Sequence, residues 1–208
     1  MSRKGIFMKS LEKKHDFKVW PKKTQDARKY LTEMEVERLL KACKIYVRQA
    51  ERNKLIIWML FHFGYRVSEL IDARWSDVNF RDGYMYVRRL KGSISSDIPI
   101  FDKNLQKALK TYHAECKKND TLTPYIFNTQ TGTTLSRKTI HWIVKHTGEA
   151  AGFELRIHPH MLRHACGYYF ANQGVNTRFI QRILGHAGIE NTVRYTDLAP
   201  RALESLRR

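Results

Sequence analysis

The sequence predicts an α+β fold: a mostly helical domain carrying a small three-stranded antiparallel sheet. Two observations lead there. Apolar residues recur at helical spacing through most of the chain, but between Trp75 and Ile100 the period drops to two and is punctuated by turn residues. At 208 residues, 42% hydrophobic and 12% aromatic, the chain also has enough apolar matter to bury a sizeable core.

The elements follow in order. Residues 1–29 hold ten lysines and arginines against three acidic residues, a balance of +7, with few apolar positions and no clear period. They read as a basic arm, flexible without its partner. The folded domain is expected over 30–208. Thr32-x-x-Glu35 is a capping-box pattern, and Met34, Val36, Leu39 and Leu40 follow at helical spacing. Asn53 to Phe63 is almost wholly apolar, too short for a membrane span and suited to a buried helix that Gly64 ends. A short helix runs through Glu69, Leu70 and Ile71. Val78 and Phe80 lead into the turn Arg81-Asp82-Gly83. Tyr84, Tyr86 and Arg88 then alternate with Met85, Val87 and Arg89, and Ile98-Pro99-Ile100 closes the sheet. Lys91-Gly92-Ser93 is the second turn.

Asp102 caps a helix over Leu105 to Ala114, and Ser136 caps another that runs to about Ala150. Between them Thr121 to Gly132 is loop, with Tyr125-Ile126-Phe127 as a buried anchor. Pro159 suits the first turn of a helix that ends near Gly174. Asn176 or Thr177 opens the next, which Gly185 stops, and a last short helix carries Val193 and Tyr195.

A formal charge of +18 implies a polyanionic partner, and nucleic acid is the default reading, with a basic solvated surface or an acidic-lipid binder as the alternatives. The absence of a long apolar run argues against a membrane span, and the N-terminus lacks the apolar core of a signal peptide. Cys43, Cys116 and Cys166 show no CxxC spacing, which suits reduced thiols. A cytoplasmic, nucleoid-associated protein is expected.

Chemistry gathers at a few positions. On the helix from Pro159, His160 and Arg163 stand three residues apart and share a face, an imidazole beside an anion-binding fork. Arg66 follows the apolar helix, Lys91 sits in the sheet turn, and Leu184-Gly185-His186 precedes Tyr195. No carboxylate pair has the look of a magnesium site and no Cys/His spacing that of a zinc site, so neither metal nor cofactor is expected. A phosphate-facing site without metal must stabilise developing charge with its own cations. A tyrosine nucleophile, with its ordinary pKa of about 10, would need those cations and a histidine acceptor.

Gly64-Tyr65-Arg66-Val67-Ser68-Glu69-Leu70, Lys91-Gly92, His160-Met161-Leu162-Arg163-His164, Leu184-Gly185-His186 and Tyr195 together resemble the motifs of the tyrosine recombinase (phage integrase) family. The run from His158 to Gly167 resembles its short fimbrial phase-variation invertases. The resemblance implies a site-specific recombinase, acting by integration, excision or inversion through a covalent 3′-phosphotyrosine intermediate. Arg66 and Arg163 would bind the non-bridging oxygens, and His186 would hydrogen-bond the phosphate. Tyr195 would attack, Lys91 would protonate the leaving 5′ oxygen, and His160 would assist proton transfer at the tyrosine. Glu69 would orient its neighbours. His158 and His164 read as packing or backbone-bonded residues rather than catalytic ones. Arg88, Arg89, Lys138, Arg178, Arg182 and Arg194 are the expected DNA contacts. A homotetramer on paired sites is implied, with a monomer or weak dimer in the free state and DNA-bending accessory proteins. Most members carry a helical core-binding domain before the catalytic one; with the basic arm ahead of Tyr30, the chain is expected to be either a complete short invertase-like form or a catalytic fragment. Two other readings remain open: a type IB-like topoisomerase or resolvase using the same residues, and a DNA-binding regulator without catalysis.

Overall fold

The computed structural model describes residues 28–46, 49–90 and 92–197. Nearly all of the expected basic arm, Lys91 and the chain beyond 197 lie outside the described residues.

Helix α1 (Glu33–Ala42) opens with the expected capping box: Glu35 N–H donates to Thr32 Oγ1, and Thr32 N–H donates to Glu35 Oε2 at 2.7 Å. Helix α2 (Ala50–His62) is buried along its length from Leu55 to His62, as its unbroken apolar run requires. A short helix α3 (Val67–Ile71) and a 3₁₀ turn (Trp75–Asp77) lead into the sheet of β1 (Val78–Asn79), β2 (Tyr84–Val87) and β3 (Ser96–Pro99). Four longer or medium helices and a last short one complete the order: α4 (Lys103–Lys118), α5 (Arg137–Ala150), α6 (Pro159–Asn172), α7 (Thr177–Leu184) and α8 (Glu190–Asp197).

The sheet is antiparallel in the order β1-β2-β3, with Val78 opposite Met85 and Met85 opposite Ile98. Met85, Val87 and Ile98 are buried while Tyr84 and Tyr86 face out, so the period-two alternation sets which face meets the helices. The strands are shorter than their apolar pattern: Phe80 packs on the core beyond β1, and Ile100, just past β3, is buried with its N–H donating to Gly83 O at 2.8 Å. Helix α4 is longer than its apolar stripe. Asp102 caps it as expected, and residues of good helix propensity carry it on to Lys118.

Helix α2 is the central element. It packs against α6 on one side and α4 on another, with α1 and α5 alongside. The loop anchor holds too: Ile126 and Phe127 are buried, and Ile126 N–H donates to Ala73 O at 2.9 Å. Cys43, Cys116 and Cys166 are free and buried. No helix of the described residues is long and apolar enough to cross a membrane.

Ile57 sits at the middle of α2 and is fully enclosed. Ile57→Ala is expected to lower stability by about 2–5 kcal/mol, through lost transfer energy and an unfilled cavity. Urea denaturation read by far-UV circular dichroism checks this.

Candidate active site

The site is assembled where the end of α2, the start of α6 and the end of α7 meet. Gly64 lets them meet. It has φ +57°, and a Cβ there would lie 2.6 Å from Leu184 Cδ2 and 3.2 Å from Cys166 Sγ. Its carbonyl accepts hydrogen bonds from both Arg163 Nη1 and Arg89 Nη1. Arg163 Nη2 donates to Leu184 O at 2.7 Å, so this one guanidinium ties α6 to two chain turns. It is 2% exposed.

Arg66 stands at the N-cap of α3. Its Nη1 donates to Glu69 Oε1 at 2.7 Å and to Ser93 Oγ at 3.0 Å. Glu69 is the anion at the centre. Its Oε2 accepts from Arg66 backbone N–H at 2.8 Å and from Arg89 Nη1 at 2.7 Å, and Arg163 Nη1 lies 4.0 Å away. Burial alone would raise the Glu69 carboxyl, but Arg89 and the N–H donors of Arg66 outweigh it and hold the group below its usual range.

Histidines surround this cationic cluster. His186 follows the αL residue Gly185 that closes α7, and its Nδ1 lies 2.9 Å from Thr192 Oγ1. Burial, then Arg163, Arg66 and Arg194, push it down to about 3. His160 is exposed, and burial with Arg163 also lowers it. Both imidazoles are therefore neutral at neutral pH.

Tyr195 lies on α8 with no exposed surface. Its ring sits edge-on to Tyr168 at 5.0 Å and nearly parallel to His186 at 6.4 Å. Gly167 makes room for it: a Cβ there would come within 2.8 Å of the tyrosine ring. The Tyr195 hydroxyl lies 2.8 Å from His164 Nδ1. Burial raises its pKa, with Arg194 over the ring pulling the other way.

Residues drawn from separate stretches thus lie together as a cluster of cations and imidazoles beside a phenol. A model described as the phage integrase family matches residues 29–201. The chain belongs to the phage integrase family. This integrase is 39% identical over 177 residues to the type 1 fimbriae regulatory protein FimB of Escherichia coli (strain K12), a match covering 81% of this chain and 84% of FimB. It is 33% identical over 187 residues to tyrosine recombinase XerA of Pyrococcus furiosus, covering 88% of this chain and 62% of XerA. The crystal structure of XerA recombinase superposes with a TM-score of 0.72 at 32% identity, over 85% of this chain and 63% of that one. The chain therefore spans less than two thirds of the length of the XerA recombinases it matches. Its fold is that of a tyrosine recombinase catalytic domain, and the enzyme class is tyrosine-type site-specific DNA recombinase.

Two expectations need correction. Arg89 is not placed to touch DNA. Its side chain is fully buried, paired with Glu69 and donating to the carbonyls of Gly64, Phe63 and Ile183. It belongs to the buried alternation of β2, and Gly185 packs directly on it. The histidine in contact with the tyrosine hydroxyl is His164, expected to pack or to bond the backbone; His160 meets the His164 ring edge-on at 4.6 Å.

Of the other expected DNA contacts, Arg88 is half-exposed and held on Asp77 at 2.6 Å. Lys138, Arg178, Arg182 and Arg194 are exposed. Arg182 borders an apolar cavity of about 740 Å³ that is lined by Phe101, Phe170 and Phe179, away from the cationic cluster. Thr192 was missed; nothing in the sequence separates it from any helical threonine.

Glu69→Gln is expected to destabilise the fold by about 3–5 kcal/mol at neutral pH, because it leaves buried Arg89 without its anion. The pH dependence has a definite sign. The folded pKa of Glu69 is depressed, so its stabilisation is present above the unfolded value of about 4.3 and is lost as pH falls through the folded value. The variant should lack that part of the acid limb. Urea midpoints measured from neutral pH into acid check both effects.

Proposed function

We propose that this integrase cuts and rejoins DNA at specific sites with Tyr195 as nucleophile, leaving a 3′-phosphotyrosine link and a free 5′ hydroxyl. The observation that carries the reading is the convergence of Arg66, Arg163, His186 and Tyr195 on one cluster held by Glu69. Arg66 takes a non-bridging oxygen of the scissile phosphate, and Arg163, tied to the carbonyls of Gly64 and Leu184 and 2% exposed in the free protein, reaches the other once DNA binding opens its cover; both offset charge as it develops. His186, its ring held by Thr192, donates to a phosphate oxygen. The phosphodiester energy is kept in the covalent link, so the strand can be resealed without ATP.

Tyr195 has no exposed surface in the free protein, so DNA binding must shift α8 or its neighbours to present the hydroxyl to phosphorus. That places a conformational step before chemistry. The net charge of +18 supports double-stranded DNA as the substrate and steep salt dependence of binding. The resemblance of the run from His158 to Gly167 to short fimbrial phase-variation invertases favours inversion of a DNA segment over integration. Assembly of four protomers on paired sites follows from exchanging two duplexes strand by strand.

Tyr195→Phe should bind a site-bearing duplex as the wild type does and form no covalent adduct on a nicked suicide substrate, read on a denaturing gel. Adduct formation at the wild-type level would remove Tyr195 from the mechanism; no adduct from the wild type itself would leave the regulator reading, and relaxation of supercoiled plasmid separates topoisomerase from recombinase.

Lys91 is the proposed general acid. Protonating a leaving alkoxide gains about a hundred- to ten-thousand-fold in rate. Lys91→Ala should therefore be slow on a normal phosphate and recover when the bridging 5′ oxygen is replaced by sulfur, which leaves without a proton. Arg66→Ala should not recover. Rescue of both variants, or of neither, would assign the acid to another residue.

A further inference from the structure

Residues 88–95 join β2 to β3 and include the turn that carries Lys91. Lys91 lies outside the described residues, and both of its neighbours are described. Ser93 N–H donates to Leu90 O at 3.0 Å, and Gly92 takes φ +80° with open space where a Cβ would stand, so the chain reverses tightly between Leu90 and Ser93. Apolar packing does not hold this turn, because Leu90 and Ile94 are exposed. Polar ties hold it. Leu90 N–H donates to Glu69 Oε1 at 3.4 Å, Ile94 N–H donates to Gly185 O at 3.3 Å, and Arg66 Nη1 donates to Ser93 Oγ at 3.0 Å. We propose that Ser93 is a positioning residue: its hydroxyl fastens the Lys91 turn to the guanidinium that holds the scissile phosphate, and so sets the reach from the general acid to the leaving 5′ oxygen. The proposal rests on Lys91 being that acid and Arg66 a phosphate ligand.

Arg66 can hold both partners at once. Its Nη1 donates to Glu69 Oε1 and to Ser93 Oγ, which uses both hydrogens of that nitrogen. Its Nε and Nη2 have no hydrogen-bond partner among the described residues, and the side chain is 33% exposed. That edge is the one open to a phosphate, which a guanidinium edge can grip with two parallel bonds. Ser93 therefore stays bound when the phosphate arrives. Glu69 completes the frame, because its Oε1 accepts from Arg66 Nη1 as well as from the Leu90 amide. Leu90 before Lys91 and Ser93 after it are thus referred to one ion pair, the pair that sets the phosphate.

What this controls is a short proton transfer. As the bond from phosphorus to the 5′ oxygen breaks, its electron pair stays on that oxygen. The Lys91 ammonium supplies the proton and becomes an amine; on rejoining, the amine takes the proton back from the 5′ hydroxyl. Such a transfer needs the two heavy atoms about 2.6–3.2 Å apart. A displacement of about 1 Å can cost about a hundredfold in rate. A lysine reaches through a flexible four-carbon stem, so the placing of its backbone matters. Ser93 places that backbone by reference to the ligand of the phosphate itself.

The test is the single-turnover rate constant of adduct formation on the nicked suicide duplex, with oxygen or sulfur at the bridging 5′ position. Rate constants, unlike yields, are not lowered by a misfolded fraction. Ser93→Ala should slow the oxygen substrate about ten- to hundredfold and leave the sulfur substrate near the wild-type rate, because a thiolate leaves without a proton. Ser93→Thr, which keeps a hydroxyl, should recover most of the loss. Ser93→Ala combined with Lys91→Ala should be no slower on oxygen than Lys91→Ala alone, since the serine acts through the lysine.

The proposal is overturned if Ser93→Ala keeps the wild-type rate on the oxygen substrate. It is equally overturned if that variant slows both substrates alike, which makes Ser93 a support of the phosphate ligand alone, or if the two substitutions multiply in full. Lys91→Ala run alongside keeps the two readings apart. If sulfur does not restore Lys91→Ala, the acid assignment fails and Ser93 loses the residue it serves. If sulfur restores Lys91→Ala but not Ser93→Ala, the acid stands and only the role of Ser93 falls.

Discussion

A buried carboxylate surrounded by arginines is the constraint on which the site depends. Glu69 pairs with Arg66 and Arg89 at 2.7 Å each and lies 4.0 Å from Arg163. Three guanidiniums brought this close would repel each other. At an effective dielectric of about 20, two unit charges 4 Å apart interact by about 4 kcal/mol. One anion cannot neutralise three cations, so the cluster keeps a net positive charge, as the proposed phosphate site requires. The same arrangement explains why Arg89 is silent at the surface. Its Nη1 and Nη2 donors are spent on Glu69 and on the carbonyls of Phe63, Gly64 and Ile183, which locks the sheet onto the ends of α2 and α7.

Close backbone approach makes that lock possible. A side chain at Gly64 would strike Leu184, one at Gly185 would strike Arg89, and one at Gly167 would strike Tyr195. At these three positions the missing Cβ is occupied by part of the site. Gly64 and Gly185 also take positive φ, which the chain reversal at the end of each helix demands. Helix termination and site construction are thus met by the same residues.

The imidazoles complete the electrostatic design. His164 is pushed down to about 4 and His186 to about 3, in both cases by burial first and then by neighbouring positive groups. Neutral histidines beside arginines can donate or accept single hydrogen bonds without adding to the repulsion. Their linkage to stability has one sign. The folded values lie below the unfolded value of about 6.5, so the fold loses stability as pH drops from there. Tyr195, buried beside them, keeps its proton for the same reason that it is well packed: the interior disfavours its charged form.

By itself the sequence determined the element types and most of the faces. The capping box at Thr32, the caps at Asp102 and Ser136, the period-two stretch and the glycine stops each report on their own few residues, and local geometry obeyed them. Even the burial of Arg89 was legible, since it shares the parity of Met85 and Val87. The family motifs named Arg66, His160, Arg163, His186 and Tyr195. Tertiary structure alone decided who touches whom. Glu69 is 20 residues from Arg89, and His164 is 31 from Tyr195. His160 and His164 are one turn apart on a single helix face, so spacing could not choose between them. Periodicity tells which side of an element faces inward, but the partner across that side belongs to another element. Only the packing of α8 over α6 put the tyrosine hydroxyl on His164.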